Sequence, residues 1–168
     1  MIERGRRDEV VLVVFRVGPD LYTVDVAAVQ EVLPATVATR VPGAPDFIEG
    51  VIELKGLVIP VVDLRRRLGY DGKAEGRSAR YVIVAVGERV MAMAVDEVIE
   101  VVRVRSSDLG PAPDLVRESG ARHVVGVVRG NEELTLVLDL ESALSAMELE
   151  ALEEFESIAL PDGERAKE

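Results

Sequence analysis

The chain of 168 residues has no cysteine, no tryptophan, a single histidine and only 4% aromatic residues. Without cysteine there is no disulfide, no thiolate nucleophile and no thiolate metal ligand, a composition that suits a reducing compartment. One histidine without cysteine cannot form a typical zinc site. That residue, His123, stands beside Arg122 just ahead of an expected strand and reads as a surface or strand-end residue. No apolar run approaches the roughly 18 residues of a membrane span. The charged start, MIERGRRDEV, is followed by no signal-peptide core. A net charge of −11 repels phosphates. Together these absences point to a cytoplasmic protein that neither binds nucleic acid nor inserts into a membrane.

What is present is valine, in short runs. Hydrophobic residues make up 48% of the chain and charged residues 30%, the balance of a globular protein. A chain of this length buries roughly 70% of its unfolded surface, and a β-branched, aromatic-poor core suits small sheets.

The runs come twice. VVFRVG ends at Gly18 and VIVAVG at Gly87, an offset of 69, and at that offset LYTVDVAAVQEV aligns without a gap on VMAMAVDEVIEV. Val24 then meets Met93, Val26 meets Val95, Val29 meets Val98 and Glu31 meets Glu100. GVIELKGLVIPVVDL, from Gly50, matches GVVRGNEELTLVLDL, from Gly126, at an offset of 76. The extra seven residues fit a longer loop around SSDLGPAPDLVRESG in the second copy. The chain is read as one domain, 1–168, built from two copies of one unit, roughly residues 10–69 and 79–145, with a helix and tail over 146–168. Strands can cross between the copies, so repeat boundaries need not be spatial boundaries.

Within one unit, VVLVVFRVGPDLYTVDV predicts a hairpin, with Leu21, Thr23 and Asp25 on one side of the second strand and Tyr22, Val24 and Val26 on the other. AAVQEVL is short and compatible with one or two helical turns. The run from Gly50 predicts a second hairpin with Lys55-Gly56 at its tip, and Pro60 places its second strand at an edge or at a bulge. Asp63 can cap a helical turn, LRRRLG, that stops at Gly69, and Asp139 can cap the segment that follows it. In that segment Leu144, Met147, Ala151, Leu152 and Phe155 recur at helical spacing. About five short strands per unit predict a mainly β fold of two small five-stranded barrels packed together, with short helices and a C-terminal helix. Neither barrel has much core alone, so they share an interface.

No constellation of residues points to catalysis. Asp63 and Asp139 read as caps and Asp96 follows a strand of its own, so the three are not an acid–base or metal cluster. VGPDLY and RGNEEL are hairpin turns rather than phosphate loops. Ser106-Ser107 has no nucleophile-elbow context. The three arginines of LRRRL read as a solvated face, or as a surface for an acidic partner.

The order of the stretches TRVPGAPDFIEGVIELKGLVIPVVDLRRRLG, MAMAVDEVIEVV, LGPAPDLV and LTLVLDLESAL resembles the CheW-type chemotaxis coupling proteins, over roughly residues 10–155. The resemblance implies two intertwined SH3-like barrels. It also implies a non-enzymatic adaptor, without cofactor or metal, that joins the cytoplasmic tip of a chemoreceptor to the regulatory domain of a CheA-type histidine kinase. On that reading the protein is a monomer alone and a component of receptor arrays in complex. A coupling protein of a related non-chemotaxis pathway shares the same architecture. A small-molecule-binding or catalytic barrel would need a converging polar cluster that the sequence does not offer.

The positions the resemblance marks for a coupling surface are Val29, Glu31, Gly50, Glu53 and Lys55. The family's hairpin tip usually reads Asn-Leu-Arg-Gly, and here it is Glu53-Leu54-Lys55-Gly56. Lys55 keeps the positive charge near Glu31 but is a point charge without arginine's planar fork. The second copy keeps Glu100 and has Asn131 at the lysine position, so the expected pair belongs to the first copy alone. Val29 can equally be core, and Gly50, with its counterpart Gly126, can equally be a backbone requirement.

Overall fold

The computed structural model describes residues 8–114, 123–129 and 134–143. The expected C-terminal helix and Asn131 lie outside the described residues.

The first hairpin pairs β1 (Glu9–Val17) with β2 (Asp20–Asp25) across a turn at Gly18, whose φ is +60°. In its register Val13 faces Val24 and Phe15 faces Tyr22, and all four side chains are buried in one core. One 3-10 turn, Val26–Ala28, follows; Asp25 caps it by accepting the Ala27 N–H at 2.8 Å. The chain is already extended again at Val29, where β3 (Val29–Pro34) begins, so the helical turns expected for AAVQEVL shrink to that one 3-10 turn. The second hairpin pairs β4 (Ile48–Leu54) with β5 (Leu57–Asp63). At its end Asp63 accepts the Arg65 N–H at 3.0 Å and caps the single turn α1 (Leu64–Arg67). The second copy supplies β6 (Arg80–Val86), β7 (Arg89–Val95), β8 (Glu97–Arg105), β9 (Leu109–Pro111), β10 (Val124–Arg129) and β11 (Leu134–Leu138).

These strands form two sheets, ordered β8-β1-β2-β11-β10-β9 and β3-β6-β7-β5-β4. Each sheet draws on both copies: the first hairpin of either copy joins the remaining strands of the other. The sheets therefore do not coincide with residues 10–69 and 79–145. Both sheets close on themselves. In the five-stranded sheet, Thr39, which follows β3, exchanges two backbone hydrogen bonds of 2.9 Å with Val51 of β4. In the six-stranded sheet, edge β8 runs through the 3-10 turn Ser106–Asp108 into the opposite edge, β9. The fold is mainly β, as the sequence predicts.

Pro60 is accommodated differently from expectation. β5 is internal, between β7 and β4. Val51, opposite Pro60, spends its N–H and C=O on Thr39, so the Val51–Pro60 pair makes no ladder hydrogen bonds. The parallel ladder to β7 starts only at Val61, so the missing N–H of Pro60 deprives no neighbour.

Two cores result. The larger lies between the sheets and gathers Phe15, Tyr22 and Val24 from one with Val82, Val84, Met91, Met93 and Val95 from the other. The smaller fills the five-stranded barrel with Ile59, Val61, Tyr81, Ile83, Ala92 and Ala94. β6 and β7 thus serve both: alternate side chains point into different cores, and YVIVAV and VMAMAV are apolar on both faces for that reason. On β7 the fully buried barrel-side residues are alanines and the seam-side residues are methionines and valine, because the inside of a small barrel leaves little room.

Asp96, in the corner between β7 and β8, joins the parts. Its backbone N–H donates to Arg16 O at 3.0 Å. Its carboxylate accepts the Gly18 N–H at 2.6 Å and Arg65 Nε at 2.9 Å. One side chain thereby fastens the β1–β2 turn of one sheet to the helical turn that ends β5 in the other. Tyr70, just past α1, adds to the clamp: its hydroxyl lies 2.7 Å from the Tyr22 hydroxyl and donates to Asp20. Its ring lies so close to Gly18 that a Cβ there would come within 2.8 Å of it. Replacing Asp96 with alanine strands two donors in a half-buried corner and is expected to lower unfolding free energy by about 2–4 kcal/mol. Urea denaturation of Asp96→Ala measures this, and a loss below about 0.5 kcal/mol would mean that the corner is not a clamp.

Candidate functional site

The tip of the second hairpin is a two-residue turn with both central residues in the left-handed region, Lys55 at φ 53° and Gly56 at φ 87°. Such turns match the twist of the strands and favour Asn-Gly or Asp-Gly. Lysine in that conformation costs of order 1 kcal/mol. Lys55 Nζ lies 3.1 Å from Glu31 Oε2. The lysine side chain is 77% exposed and the glutamate 28%, so this pair stabilises the fold by only about 0.2–1 kcal/mol.

Glu31 reaches this place because β3 bulges. Its register against β6 slips between Val29, opposite Val84, and Glu31, opposite Ile83. Leu33 on β3 and Leu54 on β4 pack on the smaller core. Glu31 and Lys55 stand just beyond these two leucines, so the ion pair sits at the mouth of the five-stranded barrel.

The five positions marked by the sequence do not form one surface. Glu31 and Lys55 meet, and Glu53 is exposed on the same hairpin arm, opposite Val58. Val29 instead packs, half-buried, against the larger core. Gly50 is buried where the barrel closes: a Cβ there would lie 2.3 Å from Thr39 O and 2.8 Å from Thr39 C. Gly126 repeats the device in the other sheet, where a Cβ would lie 2.6 Å from Gly110 O. Both glycines let two backbones approach, which is a requirement of the fold.

The structure adds two residues that sequence reasoning missed. Leu57 and Val58, directly after the tip, are 60% and 68% exposed. In GLVIPVVDL they stand in one apolar run with residues that are buried. Their one signal is position: they precede Val61, where the β7 ladder begins. The hairpin tip is thus a cation flanked by bare apolar side chains. The second copy's hairpin arm carries Leu134, 61% exposed, at the position equivalent to Val58.

Each arginine of LRRRL is engaged: Arg65 with Asp96, Arg66 3.9 Å from Asp63, and Arg67 with its guanidinium 5.5 Å from the centre of the Phe47 ring. Arg65 is therefore a seam contact, Arg66 stays exposed beside its own cap, and Arg67 packs on the loop before β4. His123 is half-buried; its carbonyl accepts the Asp139 N–H at 2.7 Å, and burial, then the Arg67 charge, hold its imidazole below the ordinary value. Among the described residues no three His, Cys, Asp or Glu side chains are grouped to hold a metal ion.

A family model for the CheW-like domain matches residues 11–148. The chemotaxis protein CheW of Rhizobium meliloti is 35% identical over 142 residues, covering 83% of this chain and 90% of that protein. The chemotaxis protein CheW of Klebsiella aerogenes is 29% identical over 136 residues, covering 81% and 82%. Among solved structures, the scaffolding protein TtCheW from Thermoanaerobacter tengcongensis superposes with a TM-score of 0.72 at 30% identity, covering 78% of this chain and 84% of that one.

The geometry at Gly50 makes a sharp expectation. Gly50→Ala forces a Cβ onto the Thr39 carbonyl and should destabilise by about 2–3 kcal/mol, and Gly50→Asp should unfold the chain. Circular dichroism with thermal melting tests both; a Gly50→Asp variant that melts like wild type would return Gly50 to the list of surface residues.

Proposed function

The chain belongs to the CheW-like domain family and is a chemotaxis coupling adaptor; we propose that its partners are the cytoplasmic tip of a chemoreceptor and the regulatory domain of a histidine kinase. On this reading the protein does no chemistry of its own and works by holding the two partners in register. The family match over residues 11–148, together with the closed double-barrel architecture, carries the proposal. Among the described residues no helix is long and apolar enough to cross a membrane, which fits an adaptor that meets receptor arrays from the cytoplasmic side.

The coupling surface we assign is the mouth of the five-stranded barrel, with Lys55, Glu31 and Glu53 as its charged groups and Leu57 and Val58 beside them. Exposed apolar side chains next to a charge suit a protein contact, because the apolar area supplies affinity and the charge selects the partner. The Glu31–Lys55 pair contributes little to stability, so its place in this account is to shape that surface. An adaptor of this kind needs a modest interface with each partner, roughly 1,200–2,000 Å² in total. Val29 and Gly50 contribute by shaping the strands behind the surface.

Pull-down from a cell extract tests the proposal. Wild-type protein is expected to recover a histidine kinase and a receptor. Lys55→Glu, which places a third carboxylate beside Glu31 and Glu53, is expected to keep its fold and its kinase and to lose the receptor. Equal receptor recovery by the variant would remove the hairpin tip from the coupling surface.

A further inference from the structure

At the end of β4 opposite Lys55, the β3–β4 connection, α1 and residues 73–76 enclose a cleft of about 740 Å³. Seven charged groups line it, and the four at Glu49, Asp63, Arg66 and Lys73 are not equivalent. The Asp63 carboxyl is 2% exposed and already committed to capping α1, with Arg66 at 3.9 Å. The Tyr81 hydroxyl is likewise committed, to Thr36 O. Glu49 is different: Oε2 is 4.0 Å from Lys73 Nζ, and Oε1 is buried and meets no donor among the described residues. Of these four, the acids lie deep and the bases stand outside them; Asp46 and Glu75 are exposed acids of the same lining. Lys73 and Arg66 are each 45% exposed, against 22% for Glu49 and 2% for Asp63.

A buried carboxylate oxygen with no donor is a standing cost, recovered when a donor arrives. Glu49 shows that cost in its acidity: burial pushes its carboxyl above the usual range, Lys73 pulls it back, and the nearby Asp63 pushes it up further. Glutamine would fill the same space without the charge. An anion on Arg66 and Lys73 fits less well, because both already face carboxylates and stand toward solvent.

We propose that this cleft receives the cationic head of an arginine or lysine side chain from a protein partner, with Glu49 Oε1 as its acceptor and Lys73 moving aside. β4 is extended, so Glu49 and Lys55 are about 20 Å apart, and the cleft is a contact separate from the hairpin tip. The net charge of −11 draws a basic segment toward it. The inference rests on the adaptor reading only in taking the cation from a protein.

The test uses the full chain alone. Isotope-labelled protein is titrated with N-acetyl-arginine amide and, separately, with the uncharged N-acetyl-citrulline amide, and backbone amide shifts are followed by NMR. Saturable shifts at Glu49 and Ala74 are expected with the arginine compound and not with the citrulline compound. Glu49→Gln should weaken the binding about tenfold or more, while its β6 and β7 amides stay in place and show an intact fold. Lys73→Ala should bind at least as well as wild type. The proposal is overturned by unsaturable shifts, by equal binding of the citrulline compound, by undiminished binding in Glu49→Gln, or by loss of binding in Lys73→Ala. These outcomes are independent of kinase or receptor capture, so failure here leaves the adaptor reading standing, and failure of that reading leaves a measured arginine site.

Discussion

β6 and β7 carry apolar side chains on both faces, Tyr81, Ile83, Ala92 and Ala94 toward one core and Val82, Val84, Met91 and Met93 toward the other, and neither face can be left to water. Burying a Val or Met side chain is worth about 1.5–3 kcal/mol, so a strand pair with seven or so such residues must be covered on two sides. One side is covered by the rest of its own barrel. The other is covered by β1 and β2, which belong to the opposite sheet. Once each copy gives its first hairpin to the other copy's strands, neither copy has a complete sheet by itself, and the two barrels become one folding unit.

That exchange puts the burden of joining on a few polar and backbone contacts. The β1–β2 turn has to be held against strands far away in sequence, and Asp96 does this with two acceptor bonds, helped by Tyr70. The barrels have to close over very short distances, and Gly50 and Gly126 permit the approach. Asp96 stands at the corner where the chain leaves one sheet for the other, and each glycine stands where two backbone segments of its own copy meet. The β4–β5 tip is left free of the seam. It can diverge without cost to the core, and it carries a strained lysine with exposed leucine and valine after it.

The hairpins, their turn glycines and the cap at Asp63 were legible because each depends on neighbours within a few residues. The matched register of the two copies is a pattern of the sequence itself, one that survives divergence of the individual side chains. Strand exchange was expected only through the family resemblance, which implies intertwined barrels; the local pattern is silent on it, since either partner sheet offers the same alternation to β1 and β2. Pro60 misled for a related reason: its tolerance comes from Thr39 taking both polar groups of Val51, a contact across the barrel. The engagement of Arg65 by Asp96 and the closeness of Glu31 to Lys55 are likewise long-range facts, and for the second only family resemblance offered a hint. Val29 and Glu31 are two residues apart and diverge in role because of a bulge that no local residue pattern announces.

For an adaptor, function is a change in someone else's chemistry, so the most direct measurement is the kinase's own reaction. Kinase autophosphorylation would be followed in the presence of receptor-bearing membranes, with and without this chain, and with and without a receptor ligand. The account predicts that the kinase responds to the receptor ligand only when the chain is present. A kinase that responds equally without it, or that stays indifferent to the receptor with it, would contradict the account.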